Sequence, residues 1–95
     1  MGAEPTVTIH LTAPLRVYSG GASRLEIAAA TVKGALEALA QSQAPLYRNI
    51  CDETGALRRH LNVYVNADNI RDLRGLETTL AAGDVVTFLP AVSGG

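Results

Sequence analysis

The hydrophobic positions of this chain follow two rhythms. Residues 6 to 11, TVTIHL, alternate strictly, with Val7, Ile9 and Leu11 on one face and Thr6, Thr8 and His10 on the other. That is the period of a half-buried strand. After Pro14 come LRVYS, the pair Gly20-Gly21, and RLEIAAA with Leu25 and Ile27 in step. This predicts two strands paired as a hairpin around the glycines, with room for a loop wider than two residues. Residues 61 to 66, LNVYVN, alternate again with Leu61, Val63 and Val65 inward, and ADN predicts a turn into a short strand, IRDL. Leu76 and Leu80, with Thr78 and Thr79 between them, predict one helical turn. Gly83-Asp84 then bends the chain into VVTFL, where Val86 and Phe88 share one face and Thr87 and Leu89 the other.

The second rhythm is helical. Val32, Ala35, Leu36, Leu39 and Ala40 recur at the spacing of one buried face, with Lys33, Glu37 and Gln41 on the wet side and the Thr31 hydroxyl placed to cap the start. Gly34 weakens such a helix by about 1 kcal/mol relative to Ala, which suits a helix crossing closely over a sheet. Pro45 is expected to stop it. Residues 46 to 50 predict a short helical turn, followed by a loop through Gly55. The expected order is strand, strand, helix, strand, short strand, strand. It describes an α+β domain in which one main helix crosses a mixed sheet of four to five strands, the first and last central and parallel.

Composition narrows the function. A chain of 95 residues holds one core. With eight basic and nine acidic residues it has no basic stripe for a phosphate backbone, so nucleic acid is not an expected partner. The one lysine is Lys33, which leaves little place for lysine-linked chains of such modules. The single cysteine, Cys51, cannot close an internal disulfide and is expected to be a half-buried structural thiol, as suits a reducing cytoplasm. No apolar run approaches the roughly 20 residues of a membrane helix, and the start lacks the pattern of a signal peptide; a cytoplasmic location away from membranes is expected. There is no phosphate-binding glycine loop, HExxH, CxxC or GxSxG. His10 and His60 belong to no ligand-spaced cluster, so no metal site is expected. Arg58-Arg59-His60 reads as a solvated approach to a strand that could meet an acidic partner.

The remaining candidate chemistry lies in PAVSGG, residues 90 to 95. Pro90 lacks a donor, so pairing is expected to fail there, dividing a domain of residues 1–89 from a flexible tail of residues 90–95. Six extended residues span about 20 Å, enough to enter another protein's cleft. Gly94 and Gly95 carry no side chains, so nothing crowds the final carbonyl. The reactive group implied is the Gly95 carboxylate. A carboxylate is a poor electrophile until a partner activates it with ATP; the resulting mixed anhydride accepts sulfide or a persulfide.

VNADNIRDLRGLETTLAAGDVVTFLPAVSGG resembles the C-terminal third of the ThiS/MoaD family of ubiquitin-like sulfur carriers, in which a VN turn, an L-x-x-x-L-x-x-GD-x-V element and a terminal GG recur. The likeness extends back through LNVYVN and the Thr31 helix to the first strand. LNVYVN, GDVVTFLPAV and the small residue before GG look most like the CysO branch. The resemblance implies a β-grasp fold and an adenylating partner that consumes ATP, with no cofactor bound to this chain. It also implies a thiocarboxylate on Gly95, beside an unobstructed Gly94, that donates sulfur to a biosynthetic enzyme making cysteine or another sulfur-containing metabolite. The domain would be a carrier and not an enzyme. Ser93 stands where Ala or Thr is also common in such tails.

Strand parity adds an expectation of its own. With Val86 and Phe88 inward, Leu89 must face outward just before the tail, where a large apolar side chain usually needs a partner. Leu89, Thr87 and Tyr64 are therefore expected to form a docking patch for the activating enzyme, with Pro90, Ala91, Val92 and Ser93 as the segment that enters its cleft. The alternatives are a small subunit of molybdopterin synthase, a modifier joined to target lysines through Gly95, and an interaction module with an inert tail.

Overall fold

The computed structural model describes residues 4–90. β1 (Thr6–Leu11) buries Val7, Ile9 and Leu11 as its alternation requires. It runs antiparallel to β2 (Arg24–Ala28), with Thr6 opposite Ala28 and His10 opposite Arg24. The hairpin forms, but its connection is wide and LRVYS is not strand. Pro14 lies in the first turn of α1 (Ala13–Arg16), where a missing N–H costs no hydrogen bond. A 3₁₀ turn, Val17–Ser19, follows, and Gly20 at φ 72° ends it in the left-handed conformation. Leu15 anchors this connection in the core, and Arg16 Nε donates to the Leu11 carbonyl at 3.0 Å.

α2 (Val32–Ser42) begins as expected: Thr31 Oγ1 accepts from the Gly34 N–H at 3.0 Å. Val32, Ala35, Leu36 and Leu39 are buried, Ala40 is half-buried, and Lys33, Glu37 and Gln41 are exposed. A Cβ on Gly34 would meet Thr31 Oγ1 at 3.4 Å and Ala29 Cβ at 3.7 Å. The close neighbours of this glycine therefore belong to the segment leading into the helix and not to a strand beneath it. Pro45 does not stop α2, which has already ended at Ser42; it opens α3 (Ala44–Ile50) from the first turn.

β3 (Leu61–Val65) alternates as expected, but β4 is only Asp68–Asn69. IRDL is not a strand: Ile70–Asp72 forms a 3₁₀ turn because the Asn69 side chain accepts the Arg71 N–H at 2.9 Å and caps it. The helical turn expected around Leu76 is the 3₁₀ turn Gly75–Glu77. Beyond it the chain clamps the start of α2: Val32 N–H donates to the Thr78 carbonyl at 3.1 Å and Leu80 N–H to the Ala30 carbonyl at 2.8 Å. β5 (Val85–Pro90) completes a sheet in the order β2-β1-β5-β3-β4, parallel to β1 and antiparallel to β3. This is the β-grasp arrangement. Strand pairing does not fail at Pro90, which stands opposite Leu61 as the last residue of β5. A proline can close a strand because its carbonyl remains available.

The start of β5 is fixed by Asn66 and Asp84, residues of the VN and GD pairs. Asn66 adopts φ 56°, a conformation asparagine tolerates better than most side chains. Its Nδ2 donates to Asp84 Oδ1 at 3.1 Å, and its Oδ1 accepts the Val85 N–H at 3.0 Å. Asp84 Oδ2 accepts the Ala81 N–H at 2.9 Å, and Gly83 turns the chain at φ 88°. Replacing Asn66 by Ala removes both the amide and the conformational tolerance, and should cost about 2 kcal/mol in denaturant unfolding. Asn66→Gly keeps the tolerance and should cost about half as much. Equal losses in the two variants would remove the backbone from this account.

Candidate functional site

The inward side chains of β1, β3 and β5 meet α2 and α3 in one core, in which Phe88, Ile9 and Leu39 are fully buried. The other face of the sheet carries no element among the described residues. Across that face Thr87 stands opposite His10 on β1 and opposite Tyr64 on β3. Tyr64 in turn faces Asn69, and His10 faces Arg24, so one polar row crosses all five strands. Leu89 lies two residues beyond Thr87, opposite Asn62, with 41% of its surface exposed. The structure thus brings together Leu89, Thr87 and Tyr64 on one face, and Pro90 follows directly at the strand end. Ala91, Val92, Ser93, Gly94 and Gly95 lie outside the described residues.

Three further exposed apolar residues, Leu73, Val17 and Tyr18, escaped the sequence reading. Val17 and Tyr18, 72% and 39% exposed, sit in the 3₁₀ turn after α1. Because β1 and β5 are parallel, the connection leaving β1 stands at the same end of the sheet as Pro90. Thr12 Oγ1 donates to the Phe88 carbonyl at 3.4 Å and ties the two together. The available signal was Pro14: a helical turn starting there and anchored by Leu15 turns its next residues away from the core, whereas a strand reading hides one of them.

Among the described residues no group of three or more His, Cys, Asp or Glu side chains is placed to hold a metal ion. Cys51 is more deeply enclosed than expected, fully buried at the end of α3, and burial pushes its thiol pKa up. The thiol is therefore neutral near pH 7 and a poor nucleophile. His60 is exposed, as are Arg58 and Arg59, in keeping with a solvated approach to β3. None of these groups assembles a catalytic pair with the open face. Among the described residues no helix is long and apolar enough to cross a membrane.

A sheet whose first and last strands run parallel at its centre, with helices on one face, defines a ubiquitin-like β-grasp protein. The sequence pattern of the ThiS family matches residues 9–95, and the chain belongs to that family. The sulfur carrier protein CysO of Mycobacterium tuberculosis (strain H37Rv) is 34% identical over 91 residues, which cover 94% of this chain and 98% of that protein. The CysO structure in the Amycolatopsis orientalis BexX/CysO complex superposes with a TM-score of 0.84 at 36% identity, covering 94% of this chain and 99% of that one. The small archaeal modifier protein 1 of Methanosarcina acetivorans does so with a TM-score of 0.87 at 32% identity, covering 99% of this chain and all of that one. The chain is a sulfur carrier of the ThiS/CysO type, a carrier and not a catalyst.

The buried thiol makes a separate expectation. Native protein should react with a disulfide reagent at least about a hundredfold more slowly than the unfolded chain, because the thiolate form and its access are both suppressed. Equal rates would mean that Cys51 is open and reactive in the native state.

Proposed function

We propose that this carrier delivers the Gly95 carboxylate to an ATP-dependent activating enzyme and leaves it as a thiocarboxylate. The observation that carries the reading is the position of β5: it is paired on both sides, it places Leu89 on an uncovered sheet face, and its last residue opens the segment ending in Gly94-Gly95. A carboxylate oxygen of Gly95 attacks the α-phosphorus of ATP and pyrophosphate leaves. Sulfide then attacks the acyl carbon of the mixed anhydride and AMP leaves, so that one sulfur replaces one oxygen. This chain binds neither nucleotide nor metal in the scheme; ATP belongs to the partner. The sulfur passes to an enzyme that makes cysteine or another sulfur-containing metabolite.

Leu89, Thr87 and Tyr64 form the patch on which the activating enzyme docks. Burying a half-exposed leucine at the root of the tail ties recognition of the folded domain to delivery of its end. Pro90, Ala91, Val92 and Ser93 span the distance into the partner's cleft. A second reading is favoured by the likeness to small archaeal modifier protein 1: the same activated Gly95 carbonyl could be taken by a lysine amine, giving conjugates of higher mass.

ATP–pyrophosphate exchange by the activating enzyme tests the proposal. Removal of Gly94 and Gly95 should abolish exchange. Leu89→Asp should lower it at least about tenfold, the loss expected when a central contact is removed. Because Leu89 faces outward, the same change should cost only about 1 kcal/mol of stability. Undiminished exchange by Leu89→Asp would refute the docking patch, and undiminished exchange by the truncated chain would refute Gly95 as the activated residue.

A further inference from the structure

On the helix side of the sheet, beyond β3, lies a cavity of about 310 Å³ that the sulfur chemistry does not use. Its floor is the inward face of Leu61, Val63 and Ile70, all nearly fully buried, and its walls are the half-buried Leu57 and Leu76. Arg58, Arg59 and Arg71 line its rim. No acidic side chain lines it; Asp68, Asp72 and Glu77, each next in sequence to a lining residue, do not contribute. Three guanidiniums over an apolar floor suit a ligand that is apolar in the middle and anionic on its flanks.

We propose that this cavity is a docking site for an acidic peptide segment of a partner protein, one large apolar side chain filling it and flanking carboxylates meeting Arg58, Arg59 and Arg71. Charge complementarity carries the choice. Three of the eight basic side chains line this rim with no acidic side chain among them, whereas the chain as a whole has formal net charge −1, so the rim carries a local excess of positive charge. The volume is at the low end of ligand pockets, roughly 300 to 1,000 Å³, and holds one side chain more readily than an extended cofactor.

The backbone of the rim and the Arg58 side chain are held in place before anything binds. Asp52 accepts the Thr54 N–H at 2.9 Å and the Ala56 N–H at 3.2 Å, which shapes the loop leading to Leu57. Arg58 Nε and Nη2 both donate to the Arg48 carbonyl, at 3.1 and 2.8 Å, fixing that side chain against the end of α3. Asn69 caps the turn that bears Arg71. The ordering left to oppose binding is that of the exposed Arg59 and Arg71 side chains. The cavity also starts where β5 ends, since Leu61 both lines it and stands opposite Pro90. A partner that holds the root of the tail therefore reaches the cavity on one side of the sheet and Leu89 on the other.

The test is a titration of the ¹⁵N-labelled full chain with the capped peptide DELFDE, followed by amide chemical shifts. The expected shifts lie at Leu61, Val63, Ile70, Arg71 and Leu76. Affinity should fall at least about tenfold in the double variant Arg59→Glu, Arg71→Glu, and fall with added salt. Arg59→Gln, Arg71→Gln, which introduces no new charge, should show an intermediate loss, and unfolding midpoints confirm that both variants fold. Four results would overturn the proposal: no shifts at the cavity; equal affinity for QQLFQQ; stronger shifts at the same amides with a DNA duplex; or the same amides shifting on removal of residues 91–95, which would mean that the cavity holds the chain's own tail. No ATP or activating enzyme is present, so the outcome is independent of the thiocarboxylate reading.

Discussion

Everything positional in this protein follows from the parallel pairing of β1 with β5. Two adjacent parallel strands cannot be joined by a tight turn, so the intervening chain must cross over, and α2 and α3 fill that crossover. The register sets His10 beside Thr87 and Leu11 beside Phe88. Phe88, the one phenylalanine, is then enclosed between strand and helix layers. A strand so placed is bonded on both edges and makes a rigid base for the C-terminal segment. The described chain thus ends, at Pro90, on a central strand and not on an edge of the sheet.

That constraint explains why the residues carrying the family likeness are mostly not chemical. Asn66 and Asp84 set where β5 begins, Gly83 turns the chain into it, and the Thr78–Leu80 stretch bonds to the start of α2. Leu76 and Leu80 are packed against or within the core. They preserve the register of β5, and with it the parity that leaves Leu89 outside and Phe88 inside. In the proposed scheme the chemistry resides in the Gly95 carboxylate and in the partners that activate and relieve it.

The strands were legible where one face is buried and one is wet, because alternation then has a physical cause: TVTIHL, LNVYVN and VVTFL each form as their pattern requires. The Thr31 cap and the parity of Leu89, Thr87 and Tyr64 were legible for the same reason. Where local hydrogen bonds outweigh the pattern, the reading failed. LRVYS has the β-branched and aromatic content of a strand, yet Pro14 starts a helical turn that needs only Leu15 in the core. IRDL looks extended, but the Asn69 side chain bends it. Pro45 stands where one helix has already ended and another starts, a distinction that composition does not make. The arginine-rimmed cavity was invisible because its residues come from three segments without shared periodicity. Of it, the sequence shows only that Arg58-Arg59-His60 could meet an acidic partner.

Lysine scarcity bears on the two ways in which an activated glycine can be used. With Lys33 as the one lysine, chains of this protein linked through its own side chains have a single point of growth, which accords better with a carrier than with a chain-forming modifier. The central claim is a sulfur for oxygen exchange at Gly95, and intact-mass measurement of the full chain reads it directly after incubation with the activating enzyme, ATP and sulfide. The account predicts one oxygen replaced by one sulfur, localised to the C-terminal residue by fragmentation. An unchanged mass, under conditions in which the same enzyme modifies another carrier, would contradict it.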